Sequence, residues 1–576
     1  MFASELGPPA TVIGSAELRT YGSTFYEVEE ALAAREGITF HSAGDVGSED
    51  WILVRGLPRD SSRNVLVLID GVPLNNAAYE GVEIQDLPSS HLDRVEVWRP
   101  PLPARYGGYH AVLAFWTKPL RQQDGVVAWT GAAVGSLATS RTSSGFASRS
   151  GPLTIDGSLS TLDTGGLTGR FRTPPFDNIR YGDRSYWDWA PALRVGWQPS
   201  ARTSFTFTAT GSNNRKAFSD DEYRNRWFGL GGFLFAHRFS NQVLLRGAAH
   251  MGEERYFLRL RMHPDVSLQQ RRRFGGRFEI VVTPTAQSTT VFGVEAGRRV
   301  LDVHGHSFAL TNAAAFAETR IAPLAALEAT AGVRGEQFAP QHVGAARAGR
   351  AVLGWSVGLV GHLGPTVDLF TRYGRSNRWP ALGEYSERRA LNAESLTGGE
   401  IGARWSYGDV KVSATFFSLL LGGAIGSDAS GTNVNAIEPI RSRGIEARVD
   451  ARVSAFASLY ATWTGSRVTT AAGQATPYGP PPQMASGGAI LHDDAWLARV
   501  SFRYLGRKEG ILRHMGDEGR VADALLVDAY AEHRVTSGVT AWAQIGNLLN
   551  LTYETFQGRP MMPRTVLVGV TLDHVL

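Results

Sequence analysis

The sequence predicts an all-β transmembrane barrel of antiparallel strands with a small α+β domain at its N-terminus, and three observations carry that prediction. First, apolar and polar residues alternate for several hundred residues from about Asp124 onward. In 498–504 the apolar set is Ala498, Val500, Phe502 and Tyr504, with Arg499, Ser501 and Arg503 between them. In 445–453, Ile445, Ala447, Val449, Ala451 and Val453 oppose Glu446, Arg448, Asp450 and Arg452, and similar runs occupy 204–210, 329–334 and 410–416. Second, no window approaches the roughly 18 to 20 consecutive apolar residues of a transmembrane helix, and no amphipathic helices accompany the alternating runs to cover them. A soluble antiparallel sheet also alternates. An apolar face this extensive and uncovered needs lipid as its solvent, and a sheet in lipid must close because an open edge leaves backbone groups unpaired. Third, the texture changes near 121–125 from mixed short elements to long runs of Gly, Thr, aromatic residues and Arg, which divides the chain into 1–122 and 123–576.

In chain order, 11–18 (TVIGSAEL) reads as a first short strand. Ser23 and Thr24 then cap a helix running to about Arg35, with Thr24 and Glu27 at capping-box spacing and Gly37 as its stop. Further short strands are expected at 53–55, 65–70, 94–98 and 112–116, between polar turns. At 576 residues the chain exceeds one ordinary soluble core. The absence of cysteine excludes disulfides and thiolate metal sites, which suits an envelope protein and equally a thiol-poor cytosolic one. A formal charge of +4 is too small for its sign to identify a partner, and no nucleic acid is expected. Of 58 basic residues only Lys118, Lys216, Lys411 and Lys508 are lysine, an excess of arginine that either a GC-rich genome or an arginine-lined lumen explains.

The stretch 51–118 reads WILVRGLPRDSSRNVLVLIDGVPLN, an irregular acidic turn, then LDRVEVWRPPLPARYGGYHAVLAFWTK. Through Arg55-Gly56, LIDGVPLN at 68–75 and DRVEVWR at 93–99 it resembles the plug domain of TonB-dependent outer-membrane receptors. RYGRSNRWPALGE at 372–384, ESLTGGEIGARW at 394–405, RGIE at 443–446 and NLLNLTY at 547–553 resemble that family's barrel stations in their usual order. The likeness covers about 11–118 and 370–576, while 125–370 matches in texture only. It implies a plug inside the lumen of a barrel of about 22 strands in the bacterial outer membrane. The barrel segment then has about 20 residues per strand with its loop, so most outer loops are expected to be short.

The chain also departs from the pattern. Glu36-Gly37-Ile38 stands where the family has PGV, Arg99-Pro100-Pro101 where it has RGP, and 110–115 where it has GGVINI. No secretory signal precedes the plug, consistent with a trimmed or mature start. Met1 to Pro9 show no recognisable TonB box, which puts energised gating in question, and Leu576 replaces a usual terminal aromatic residue, which predicts a weaker insertion signal.

Strand parity places Glu400 opposite Ile401, Ala403 and Trp405, and Glu446 opposite Ile445 and Ala447, so both should point into the lumen. The resemblance implies that they meet Arg55 and Arg99, which match plug arginines that pair with barrel glutamates. Such a buried quartet nearly offsets its own desolvation, which suits a plug that is positioned yet displaceable; the alternative is four lumen charges bonded to water. The plug apices, by resemblance, are 58–63 and 75–82. There Arg59, Asp60, Asn76, Tyr79 and Glu80 are candidate ligand contacts, with Tyr79 as an exposed aromatic platform. The segments 172–189, 220–227 and 255–273 are candidate outer loops. His304 and His306 lack a third ligand and are read as a lumen or loop feature, so no metal site and no cofactor are expected. No nucleophile with a base, phosphate loop or catalytic carboxylate pair is present, which leaves an outer-membrane hydrolase without a site. Two functions remain. One is import of a scarce, bulky ligand, a ferric siderophore or corrinoid-like metal chelate, driven by a TonB-like energy transducer. The other is a non-importing plugged barrel that docks other envelope proteins.

Overall fold

The computed structural model describes residues 11–20, 27–42, 44, 46–47, 51–57, 64–84, 87, 91–167, 169–173, 176–181, 184–219, 222–260, 263–342, 345–346, 350–385, 391–428, 432–474, 476, 479–509, 520–557 and 559–575. The expected cap at Ser23 and Thr24, the residues Met1 to Pro9 and Leu576 lie outside this set.

The N-terminal part is a five-stranded sheet in the order Thr11–Gly14, Leu92–Trp98, Ala111–Thr117, Val65–Ile69, Val72–Pro73. Only the central pairing of Val65–Ile69 with Ala111–Thr117 is parallel. Ile13, Val67, Val95, Val97, Leu113 and Phe115 supply a core in which each is fully or almost fully buried. Two corrections to the sequence reading arise here. The first strand ends at Gly14 and the chain continues as a helix, Ser15–Thr20, where Glu17 accepts from the Gly14 amide and Thr20 donates to the Ala16 carbonyl. The second helix is described over Glu27–Ala33 and ends just before the expected Arg35, and an unforeseen strand, Ile38–His41, pairs with Trp51–Val54. Asn75 ties the sheet to its apex turn: its Oδ1 accepts from Val67 N, and its Nδ2 donates to the carbonyls of Val65 and Glu80.

From Gly125 the chain forms a closed antiparallel barrel of 22 spanning strands, with Ala345–Ala346 as a short extra piece. The ring closes where Gly125–Gly135 pairs with Thr565–Val575, Gly131 opposite Thr571. The alternation sorts as predicted. On Ile440–Ser454, Ile445, Val449 and Val453 are 46%, 40% and 63% exposed on the outer surface, whereas Glu446 is 2% exposed within. On Trp496–Leu505, Val500 and Phe502 face out and Arg499 is buried. Exposed aromatics gather at two levels, Trp187, Trp189 and Trp227 towards one end and Trp197, Trp405, Tyr407 and Trp496 towards the other, as interfacial girdles do.

Connections at one end are tight, as at 201–202, 286–287, 325–326, 408–409 and 537–538; this is the pattern of periplasmic turns. At the other end the connections 136–138, 218–222 and 304–305 are short, as expected. Others are long: 165–185, which carries the hairpin Gly169–Thr173 with Phe176–Tyr181, and in the second half 379–393, 423–439, 471–482, 506–523 and 547–564. The proposed loops 172–189, 220–227 and 255–273 are largely strand, because long hairpins continue above the barrel, Val243–Leu260 with His263–Thr285 being the longest.

Candidate functional site

Arg55 sits at the end of Trp51–Val54 with φ +54, followed by Gly56 at φ +65, so the backbone turns sharply and aims the guanidinium at the barrel wall. Its Nε donates to Glu446 Oε1 at 3.1 Å and its Nη2 to Glu446 Oε2 at 2.8 Å. The same Nη2 lies 2.7 Å from Glu400 Oε2, and Nη1 donates to the Pro100 carbonyl at 2.6 Å. Phe417 lies under the guanidinium at 4.7 Å. Burial pulls the Arg55 pKa down, but Glu446 and Glu400 outweigh it and hold the group above its ordinary value.

Arg99 stands 4.0 Å from Glu446, and its closer partner is Glu36, through the backbone carbonyl at 2.7 Å and Oε1 at 3.0 Å. The structure thus brings Arg55, Arg99, Glu400 and Glu446 together, all between 2 and 7% exposed, and adds a fifth member that sequence reasoning missed. Burial raises the Glu36 carboxyl, and Arg99 and Arg448 more than reverse it, leaving its pKa below the ordinary carboxylate value. The signal was present: Glu36 is the residue that departs from PGV. Gly37, beside it, adopts φ +73, donates its amide to Thr464 Oγ1, and comes so close to the wall that a Cβ would fall 2.0 Å from Glu446 Oε1.

Further ion pairs clamp the plug on its other sides. Glu83 takes Arg224 at 2.7 and 3.0 Å and also faces Arg226. Glu80 pairs with Arg299 and accepts from the Tyr109 hydroxyl, and Arg273 donates to the Asn75 carbonyl. Arg105 faces Glu318, and Arg194 donates to Thr117 and to the Lys118 carbonyl. The 372–405 motifs have a shared job: Arg378 holds Glu394 at 2.7 Å and Glu384 at 2.8 and 3.1 Å, which fixes the turn Leu382–Glu384 above the plug.

The apex residues are placed differently from the expectation. Arg59 and Asp60 lie outside the described residues. Asn76 spends its side chain within its own turn, accepting from Ala78 N and Tyr79 N and donating to the Gly81 carbonyl. Glu80 is buried in the pair with Arg299. Tyr79 is half-buried rather than exposed, packed with Trp379, Leu382 and Tyr385, because Gly383 donates to the Ala78 carbonyl and draws that loop down over the ring. Only a glycine fits: a Cβ on Gly383 would fall 2.0 Å from Tyr79. His304 and His306 occupy an exposed turn, and among the described residues no group of three or more His, Cys, Asp or Glu is placed to hold a metal.

Comparison with known proteins follows the same division of the chain. Residues 128–548 match the family described as TonB dependent receptor-like, beta-barrel, and residues 4–111 match the TonB-dependent Receptor Plug Domain. The vitamin B12 transporter BtuB of Vibrio vulnificus (strain YJ016) is 35% identical over 78 residues, 14% of this chain and 12% of that relative's length. Three solved structures share the fold over nearly their whole length. They are the FrpB iron transporter from Neisseria meningitidis (F3-3 variant; TM-score 0.83, 12% identity, 98% and 99% of the two chains covered), the copper transporter OprC (0.84, 16%, 99% and 98%) and the siderophore receptor PirA from Pseudomonas aeruginosa (0.74, 15%, 99% and 100%).

Proposed function

Given that the chain belongs to the TonB-dependent receptor family of the bacterial outer membrane, we propose that it imports a scarce, bulky metal chelate, a ferric siderophore or corrinoid-like ligand, past its plug. The observation that supports this most is the Arg55 junction. The plug packs apolar side chains against the wall, and beside them it is held by charges that are ion-paired when docked and costly when separated. Such a junction is stable at rest and yields to a directed pull. A TonB-like periplasmic transducer would supply that pull.

The ligand is received at the outer face, on the apex 75–82; the other expected apex, 58–63, lies outside the described residues. Of the described apex residues, Asn76 and Glu80 have their polar groups committed, so the Tyr79 ring is the surface released when the 379–385 loop lifts. An aromatic ring suits the apolar face of a chelate. Whole-cell uptake of labelled ferric siderophores and corrinoids, with and without the chain, tests the reading. Loss of uptake of one class in cells lacking the chain is expected. Unchanged uptake of every class would sink import and leave the docking-subunit role.

A further inference from the structure

The plug-to-barrel hydrogen bonds and ion pairs described above fall on the staves from Tyr186–Ser200 round to Ala457–Thr470. Along the staves Gly125–Gly135, Thr139–Ser150, Ala524–Thr536, Val539–Gly546 and Thr565–Val575 the lumen holds a cavity of about 930 Å³. At about 30 Å³ per molecule it has room for roughly thirty waters. Its described lining is polar, with Ser143, Gln544 and Thr571 among the neutral groups, and it reaches the tight-turn end at Asp493 and Ser537. Its charges are unequal: Asp493, Asp494, Glu532 and Asp573 against Arg141 and Arg534.

The outer ends of the neighbouring staves are capped by a separate apolar cluster. Val46 of the plug, 0% exposed, packs there with Leu167, Tyr186 and Met562, and Leu137 and Leu162 lean on them. Leu137 lies in the connection between Gly125–Gly135 and Thr139–Ser150, Leu162 near the outer end of Leu153–Thr164, and Met562 just before the last stave. The seal is tight, since a Cβ on Gly47 would fall 2.1 Å from the Tyr186 ring.

We propose that cavity and cluster together form a second conduit, a side passage for small hydrated cations closed by an apolar gate, separate from the route that displaces the plug. An apolar constriction above a polar vestibule blocks ions by excluding water, and a single polar group in it restores wetting. The carboxylate excess of the vestibule favours cations. The Val46 contact shares no residue with the Arg55 junction, so the gate opens while Arg55 stays docked. This inference does not depend on import.

Planar-bilayer recording of the full chain, without ligand or transducer, tests it. Wild type should carry little steady current. Val46→Ser and, separately, Met562→Ser should each raise it at least about tenfold, the effect of lowering a barrier by about 1.4 kcal/mol, with a reversal potential showing cation preference. Gly131→Trp, at a position where the nearest neighbour of a Cβ is the Ser143 hydroxyl at 3.3 Å, should return the current of the Val46→Ser protein to the wild-type level. Assembly is checked by heat-modifiable gel mobility, and if one polar variant does not assemble the other decides. A large wild-type current, assembled variants that conduct no better than wild type, an anion preference, or a current that survives Gly131→Trp would each overturn the proposal.

Discussion

Replacing Glu446 by Ala removes both oxygens that hold the Arg55 fork and the carboxylate facing Arg99. Breaking a buried ion pair by deleting one partner costs about 3 to 5 kcal/mol. Here the loss is cushioned, because Arg55 keeps Glu400 at 2.7 Å and the Pro100 carbonyl at 2.6 Å, and Arg99 keeps Glu36 at 3.0 Å. The lower end applies, about 3 kcal/mol, which lowers the ratio of docked to displaced plug on the order of a hundredfold. Hydrogen exchange on the purified protein reads this directly. Protection of the strands Trp51–Val54 and Leu92–Trp98 should fall while the barrel strands keep theirs. Glu400→Ala, which removes one contact to Arg55 rather than two, should fall between. In a double-mutant cycle, Arg55→Ala with Glu446→Ala should show a coupling well above the scatter of independent sites, about 0.5 kcal/mol. Plug protection unchanged by Glu446→Ala, or additive single effects, would refute the junction.

Tyr79→Ala should weaken ligand binding by up to about tenfold, since an aromatic contact contributes about 0.5 to 1.5 kcal/mol beyond its area, with barrel assembly unchanged in heat-modifiable mobility. Arg378→Ala leaves Glu384 and Glu394 buried without their cation, so the 379–393 loop should become a site of limited proteolysis at a cost of about 3 to 5 kcal/mol to local order. Lys508, in an outer loop, donates to His41 Nε2 at 2.7 Å, and burial pulls its pKa from 10.5 to about 7. The unfolded chain therefore binds more protons between those values, so stability should rise as pH increases from about 7 towards 10.5 and level off below. Thermal unfolding across that range should show the slope in wild type and a smaller one in Lys508→Met.

Strand parity was enough to send Glu400 and Glu446 inwards and Ile445 and Val449 to lipid, because a barrel wall has two solvents and a side-chain period of two. The family pattern supplied Arg55 and Arg99. What stayed hidden was of two kinds. Short elements such as Ile38–His41 and Ser15–Thr20 depend on tertiary partners more than on their own propensity, and neither has a distinctive local pattern. Long-range contacts are the second kind. That Gly383 would come down on Tyr79, over 300 positions away in sequence, or that Glu36 would take Arg99 in place of Glu446, follows from where loops land and not from any local spacing.

The unequal outer rim carries a thermodynamic asymmetry. On the side of Val243–Leu260 and His263–Thr285 most of the described residues are paired in one long cross-strand ladder, so a molecule that comes to rest there meets a largely pre-ordered surface. On the side of 423–439 and 506–523 the described ladders are short, Ile425–Ser427 with Asn433–Asn435 and Lys508–Glu509 with Arg520–Val521, and freezing a backbone residue costs about 1 to 2 kcal/mol. First encounter with the hairpin parapet is therefore the less demanding step in conformational entropy. On the proposed import reading, ordering of the opposite loops around a bound molecule would be the step at which affinity is traded for selectivity.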